Sequence, residues 1–177
     1  CSTETYKRKK YAANRELLAL SITDPLTGIY NRAKFEEEIN KWINVSERYG
    51  NSLSLILFDI DDFKKTNDKY GHLVGDSVLK TIVDIIKKSI RNTDVFARWG
   101  GDEFVILLPN TDLRQAEKMA ERMKTSICNS FFEPAINITC SFGVATYEKD
   151  DTRQSFLQKA DNLLFQAKTR GKNRVES

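Results

Sequence analysis

The sequence predicts an α/β fold, an α+β sandwich built on a ferredoxin-like βαββαβ core whose central, antiparallel-containing sheet is flanked by helices. Three observations carry this reading. Leu53 to Ile60 is an apolar run of strand length, short enough to be a buried central strand. Two further strand-like runs, Val95 to Trp99 and Glu103 to Leu108, surround Gly100-Gly101, and paired glycines supply the positive φ that tight hairpin turns need. Segments with apolar residues at helical spacing separate these strands.

In chain order, Thr5 to Leu20 is charged and helix-favouring, with Leu17, Leu18 and Leu20 as its strong apolar cluster, and reads as a helical linker entering a domain. A frayed surface helix is the plainer alternative. Ser21 to Gly28 is rich in turn formers, so residues 1–20 are expected as linker and 21–177 as domain. An amphipathic helix follows from Arg32 to Tyr49, with Phe35, Ile39, Trp42 and Ile43 on one face, and ends at Gly50-Asn51. After the Leu53 to Ile60 strand and its terminal Asp59, Asp61 and Asp62, a second helix is expected from Val74 to Ile90, carrying Val78, Ile82, Ile85 and Ile86. The hairpin leads to a third helix (Leu113 to Cys128), a strand (Ile136 to Tyr147), a fourth helix (Gln154 to Lys168) and a short end strand (Asn173 to Val175). The β-α-β-β-α-β order within this series is the split βαβ arrangement.

Composition narrows the class. With 177 residues, 40% hydrophobic and 30% charged, the chain has the length and balance of one globular domain, and no apolar run approaches the roughly 20 residues of a membrane helix. A net charge of +3 suits an anionic small ligand without calling for a nucleic acid partner. Three cysteines (Cys1, Cys128, Cys140) without CxxC spacing indicate neither a disulfide framework nor a structural zinc site, so a reducing cytoplasm is the expected setting. Cys1 opens the chain without an initiating Met or a signal-peptide pattern, which is expected of a piece of a longer protein.

The connectivity sets the Leu53 to Asp59 strand antiparallel to the second hairpin arm, so Asp59 falls beside Asp102 and Glu103. Carboxylates converging at a strand end repel one another unless cations sit between them, and hard oxygen ligands favour Mg²⁺ or Mn²⁺. Two such ions can clamp the attacking and leaving oxygens of a phosphoryl transfer, while bare glycine N–H groups approach phosphate closely. The plainer alternative makes Asp59, Asp61 and Asp62 a solvated strand-to-helix cap and Gly100-Gly101 merely a good turn.

Arg98-Trp99-Gly100-Gly101-Asp102-Glu103-Phe104 resembles the signature of the GGDEF family of diguanylate cyclases. Asp24-Pro25-Leu26-Thr27-Gly28-Ile29-Tyr30-Asn31-Arg32 resembles the family's opening motif, and Phe58-Asp59-Ile60-Asp61-Asp62-Phe63-Lys64 its metal-binding strand end. Asn67-Asp68, Gly71-His72, Gly75-Asp76, Ser141 to Ala145, Ala160-Asp161 to Ala167-Lys168, and Gly171 to Val175 continue the pattern, so the likeness spans about Ser21 to Val175.

The resemblance implies a palm similar to nucleotidyl cyclase catalytic domains, joining two GTP into cyclic di-GMP as a homodimer with two divalent metals per site. It implies Asp59, Asp102 and the Ile60 carbonyl as metal ligands, with Glu103 supporting the metal or removing a proton, a role more usually given to Asp102. It further implies Lys64 as a charge neutraliser, Asn67 and Asp76 as readers of the guanine edge, and Gly100, Gly101, Lys168 and Lys172 at the phosphates. Lys172 stands where the family commonly has arginine, exchanging a fork for a point charge. Without the resemblance, Asn67 and Asp76 read as helix caps and Lys64 as a surface ion pair. His72, the sole histidine, is implied near the nucleotide, although a lone histidine beside glycine reads by itself as structural. Arg91 and Asp94, with Arg122, match the family's RxxD site for inhibition by product, Asp94 accepting from a guanine N–H. A sensor region before residue 1 is implied as well. The alternatives are a silent GTP- or cyclic di-GMP-binding regulatory module and another palm-type cyclase or polymerase, which Asn67 and Asp76 disfavour.

Overall fold

The computed structural model describes residues 2–177, and Cys1 lies outside the described residues. Helices α1 (Ser2–Ile22) and α2 (Arg32–Tyr49) precede strand β1 (Leu53–Ile60), which is followed by α3 (Phe63–Tyr70) and α4 (His72–Lys87). The hairpin β2 (Val95–Arg98) and β3 (Glu103–Pro109) leads to α5 (Leu113–Cys128), β4 (Cys140–Thr146), α6 (Arg153–Thr169) and β5 (Val175–Glu176). The sheet order is β2-β3-β1-β4-β5, with β1 antiparallel to both neighbours and only β4 and β5 parallel. This is the expected sandwich.

All eight residues of β1 are buried, because side chains alternate between two covered faces. Ile56, Phe58 and Ile60 join Val78, Ile82 and Ile86 of α4 and Ala120 and Met123 of α5. Leu53, Leu55 and Leu57 join Phe35 and Ile39 of α2 and Phe156 and Leu164 of α6. Phe58 stacks between Phe104 and Phe142, with ring centroids 5.2 and 5.0 Å away. The same two layers hold the strand that ends in Asp59.

Four details differ from the sequence expectation, each for a local reason. The helix expected from Val74 starts at His72 and is preceded by a separate helix, α3, with Gly71 at φ 88° between them. Eight residues with only Thr66 buried carry no apolar period to announce α3. The strand expected from Ile136 begins at Cys140, since its partner β1 ends at Ile60 and the chain there turns into α3. The end strand begins at Val175, because Lys172 and Asn173 adopt φ of 60° and 46°, which no strand accommodates. Gly100 and Gly101, finally, are not among the residues with positive φ. The reversal from Trp99 to Asp102 is wider than a two-residue turn, closed by Trp99 and Gly100 N–H groups donating to the Glu103 carbonyl at 2.8 and 3.1 Å.

Gly143 of β4 lets α6 pack unusually close. A Cβ built there would lie 2.2 Å from the Ala160 carbonyl oxygen and 2.5 Å from the Leu164 nitrogen, both rigid backbone. Among the described residues no helix is long and apolar enough to cross a membrane. Gly143→Ala must therefore push α6 off the sheet, and urea unfolding should show a loss of about 1–3 kcal/mol or more, whereas Gly101→Ala, whose Cβ meets nothing within 4 Å, should stay within about 0.5 kcal/mol of the parent.

Candidate active site

The antiparallel register pairs Asp59 directly with Glu103, and the Ile60 N–H donates to the Asp102 carbonyl at 3.2 Å. Asp59, Ile60, Asp102 and Glu103 thus share one edge of the sheet, as the connectivity predicts. Asp59 is 6% exposed. One of its oxygens is in contact with the Lys168 ammonium of α6, and the other, Oδ1, is buried with no hydrogen-bond partner. An orphaned carboxylate oxygen in the interior is costly, and a cation is the natural way to satisfy it.

The electrostatics of this edge are lopsided. Burial pushes the Asp59 carboxyl up to about 6, against the opposing pull of Lys168 and with help from Asp102 and Asp61. Burial also raises Glu103, joined by the charges of Asp59 and Asp161. For Lys168, burial works against the charge, but contact with Asp59 and the nearness of Glu103 and Asp102 more than offset it and hold the amine protonated. One lysine does not neutralise this edge. Among the described residues no three His, Cys, Asp or Glu side chains are gathered as a ready-made metal cage. The donor set is instead hard oxygens with one orphan, which suits Mg²⁺ or Mn²⁺.

The acidic run after β1 divides its labour. Asp61 turns away from the edge: its carboxylate accepts from the Thr139 and Ser141 hydroxyls, each at 2.6 Å, and from the Asn173 N–H at 3.0 Å. It ties the start of β4 to the C-terminal loop. Asp62, at φ 55°, makes no capping bond to α3, so the plainer reading of these acids as a helix cap fails there. It pairs with Lys172 at 2.8 Å, and that contact holds its carboxyl below the ordinary value. The two lysines expected at phosphates therefore both lie against carboxylates of the edge. Lys64 is exposed and forms no ion pair among the described residues.

The glycine turn is held from outside the hairpin. Arg98 donates to the carbonyls of Gly100 (3.2 Å) and Gly101 (2.6 Å) and to both oxygens of Asp24 at 3.3 Å. Asp24 also accepts from the Thr27 N–H and hydroxyl, so hydrogen bonds and Arg98 overcome its burial and hold its carboxyl low. Tyr30 lies along β2, receiving the Arg98 N–H at 2.9 Å, and the Arg32 guanidinium sits 4.0 Å over the Trp99 ring. Asn31 caps α2 through Lys34 N–H and reaches back to the Ser21 carbonyl. From sequence alone, Asp24 and Arg98 have no task and Asp61 only a place in a possible helix cap; charged residues within turn-rich motifs are the available signal. Gly100 and Gly101 have no φ that demands glycine, and a Cβ at Gly101 meets nothing within 4 Å. Nothing inside the domain requires glycine there, and the bare backbone leaves room for close approach from outside.

Asn67 lies within α3 and Asp76 within α4, so neither is the helix cap that the residues alone suggested; Gly71 occupies that position. Asn67 Oδ1 is buried without a partner. His72 is the exposed first residue of α4.

Arg91 and Asp94 sit at the far end of β2 from the glycine turn, separated from it by the strand's four residues. The Asp94 side chain is fully buried, accepting from the Arg91 N–H at 2.8 Å and from its guanidinium at 3.4 Å. The Asp94 carboxylate thus closes the Arg91–Asp94 turn from within. Arg91 also donates to Thr111 Oγ1 and the Pro109 carbonyl, and it shares with Arg122 and Lys118 a cavity of about 290 Å³.

Residues 21–174 match the family model described as "Diguanylate cyclase, GGDEF domain". The chain is 41% identical over 160 residues to the diguanylate cyclase DgcP of Pseudomonas aeruginosa, covering 88% of this chain and 24% of that protein. It is 38% identical over 164 residues to the response regulator PleD of Caulobacter vibrioides, covering 89% and 36%. Among solved structures, the coiled coil and GGDEF domain of DgcB from Caulobacter crescentus, in complex with c-di-GMP, superposes with a TM-score of 0.91 at 28% identity, covering 99% of this chain and 94% of that one. The chain thus spans about a quarter to a third of these curated relatives.

The raised Asp59 carboxyl has a consequence for metal-free protein. A carboxyl that binds its proton more tightly folded than unfolded opposes folding once ionised, so the penalty is absent below about pH 4 and complete above about pH 6. Asp59→Asn should then gain stability relative to the parent as pH rises from about 4 to about 7, by roughly 2–3 kcal/mol. Denaturant unfolding at the two pH values in EDTA measures this gain.

Proposed function

This chain belongs to the GGDEF diguanylate cyclase family, and on that premise we propose that it condenses two GTP into cyclic di-GMP with release of two pyrophosphates. The observation that carries the reading is the edge where buried, partly orphaned Asp59 faces Glu103 beneath a turn of two glycines that the fold itself does not require. Each domain holds one GTP. Gly100 and Gly101 admit the phosphates, Lys168 and Lys172 release their carboxylates to meet phosphate oxygens, and exposed Lys64 adds positive charge. Asn67 and Asp76 read the base, with His72 nearby.

Asp59, Asp102 and the Ile60 carbonyl would hold divalent cations, supported by Glu103. Two Mg²⁺ or Mn²⁺ ions bound there would supply charge neutralisation at the attacking and leaving oxygens. The 3′-hydroxyl of one GTP attacks the α-phosphate of the other, a P–O bond forms, and the bond to pyrophosphate breaks. Either Asp102 or Glu103 takes the hydroxyl proton. Because both nucleotides must react, two domains meet face to face. The exposed Leu17, Leu18 and Leu20 on α1 offer an apolar contact for the second copy, and α1 serves as the linker from a preceding sensor region. GTP supply sets this chemistry in the cytoplasm.

Product restrains the enzyme at the other end of β2. Arg91 and Arg122 present guanidinium forks suited to phosphate and guanine acceptors, with buried Asp94 orienting Arg91 from below.

The decisive measurement is chromatography of products formed from GTP and Mg²⁺ by the purified chain. Cyclic di-GMP is expected; GTP or cyclic di-GMP binding without turnover would instead identify a silent regulatory module. Asp59→Ala and Asp102→Ala should each reduce turnover to a few per cent of the parent or less while both remain folded by circular dichroism. For the inhibitory surface, Arg91→Ala should keep the initial rate and let product accumulate beyond the parent's plateau. An identical progress curve would leave Arg91 and Asp94 as a structural ion pair.

A further inference from the structure

Gly75 is buried in the first turns of α4 without a positive φ. Glycine is the poorest helix former after proline, so its presence there calls for another reason. The surroundings supply one. A Cβ at this position would lie 1.8 Å from Asn67 Oδ1, 3.0 Å from Asn67 Cγ and 3.2 Å from Phe63 Cζ. The Asn67 amide therefore occupies the space that any other residue at position 75 would fill. Its oxygen makes no hydrogen bond there although it is buried. No polar partner draws the amide into this place; the missing side chain is what admits it.

We infer that Gly75 is a specificity-determining positioning residue: the space it leaves sets the orientation of the Asn67 amide and thereby the preference for guanine over adenine. The inference rests on the reading of Asn67 and Asp76 as base readers. With the oxygen turned against α4, the amide NH₂ is the end left for a ligand. An NH₂ complements the O6 acceptor of guanine but meets the N6 amino group at the same place on adenine. Asp76, next in sequence, supplies an acceptor for the guanine N–H groups. Gly75 thus stands between the two readers and is touched by one of them.

A methyl group at position 75 collides first with the end of a flexible side chain, so the amide swings out while the helix keeps its backbone. Gly75→Ala should therefore separate selectivity from stability. Non-hydrolysable GTP and ATP analogues are titrated calorimetrically, with Mg²⁺, into the parent chain, Gly75→Ala, Asn67→Ala and the double variant, and melting temperatures are recorded for all four. The expected result is a GTP-over-ATP preference reduced about tenfold in Gly75→Ala, the size of one lost hydrogen bond, at an unchanged or higher melting temperature. The double variant should then be no less selective than Asn67→Ala alone, because both changes remove the same contact. If Asn67→Ala narrows the preference and Gly75→Ala does not, the role of Gly75 is overturned while base reading by Asn67 stands. If neither narrows it, the base-reading assignment falls and takes the inference with it. Equal weakening of both nucleotides, or a lowered melting temperature, would show Gly75 to be a matter of room or packing and would overturn its part in selectivity.

Discussion

A carboxylate at the end of a wholly buried strand is the constraint around which this domain is arranged. β1 must be apolar on both faces to sit between two helical layers, and its register delivers Asp59 into the same interior, opposite Glu103. Burial raises the cost of charge there, and Lys168 meets only part of it. The remaining oxygen is left buried without a partner, and a hard cation is one group that would satisfy it.

The neighbouring elements hold that edge in place by contacts that do no chemistry themselves. Gly143 brings α6 close enough for Lys168 to reach Asp59. Asp61 fastens the start of β4 and the C-terminal loop, which in turn brings Lys172 to Asp62. On the other side, Arg98 braces the glycine turn and is itself paired with Asp24, two residues beyond the end of α1. The path from α1 to the turn is therefore short and charge-assisted, running through one half-buried ion pair and the Tyr30 backbone.

The two cationic regions differ in kind. At the acidic edge, lysines lie against carboxylates, whereas around Arg91 and Arg122 arginine forks line a small cavity and Asp94 is locked beneath. A point charge exchanges partners readily; a planar fork recognises shape.

Much of this was legible in the chain. The unbroken apolar run of β1, the helical spacing of Phe35 and Ile39 or of Val78 and Ile82, and the strand pair around Gly100-Gly101 determine the layers and the sheet, because burial enforces periods that a sequence displays directly. The pairing of Asp59 with Glu103 followed from that connectivity. Short polar α3 was invisible because so little of it is buried, and the glycine turn misled because a wider reversal relaxes the need for positive φ. Only the tertiary structure decided that Asp61 fastens β4 and the C-terminal loop, that Asp94 points inward, that Lys168 rests on Asp59, and that Gly75 makes room for Asn67. These depend on distances between residues up to 112 positions apart and on which oxygen is shielded from water, quantities set when separate elements pack and carried by no local pattern.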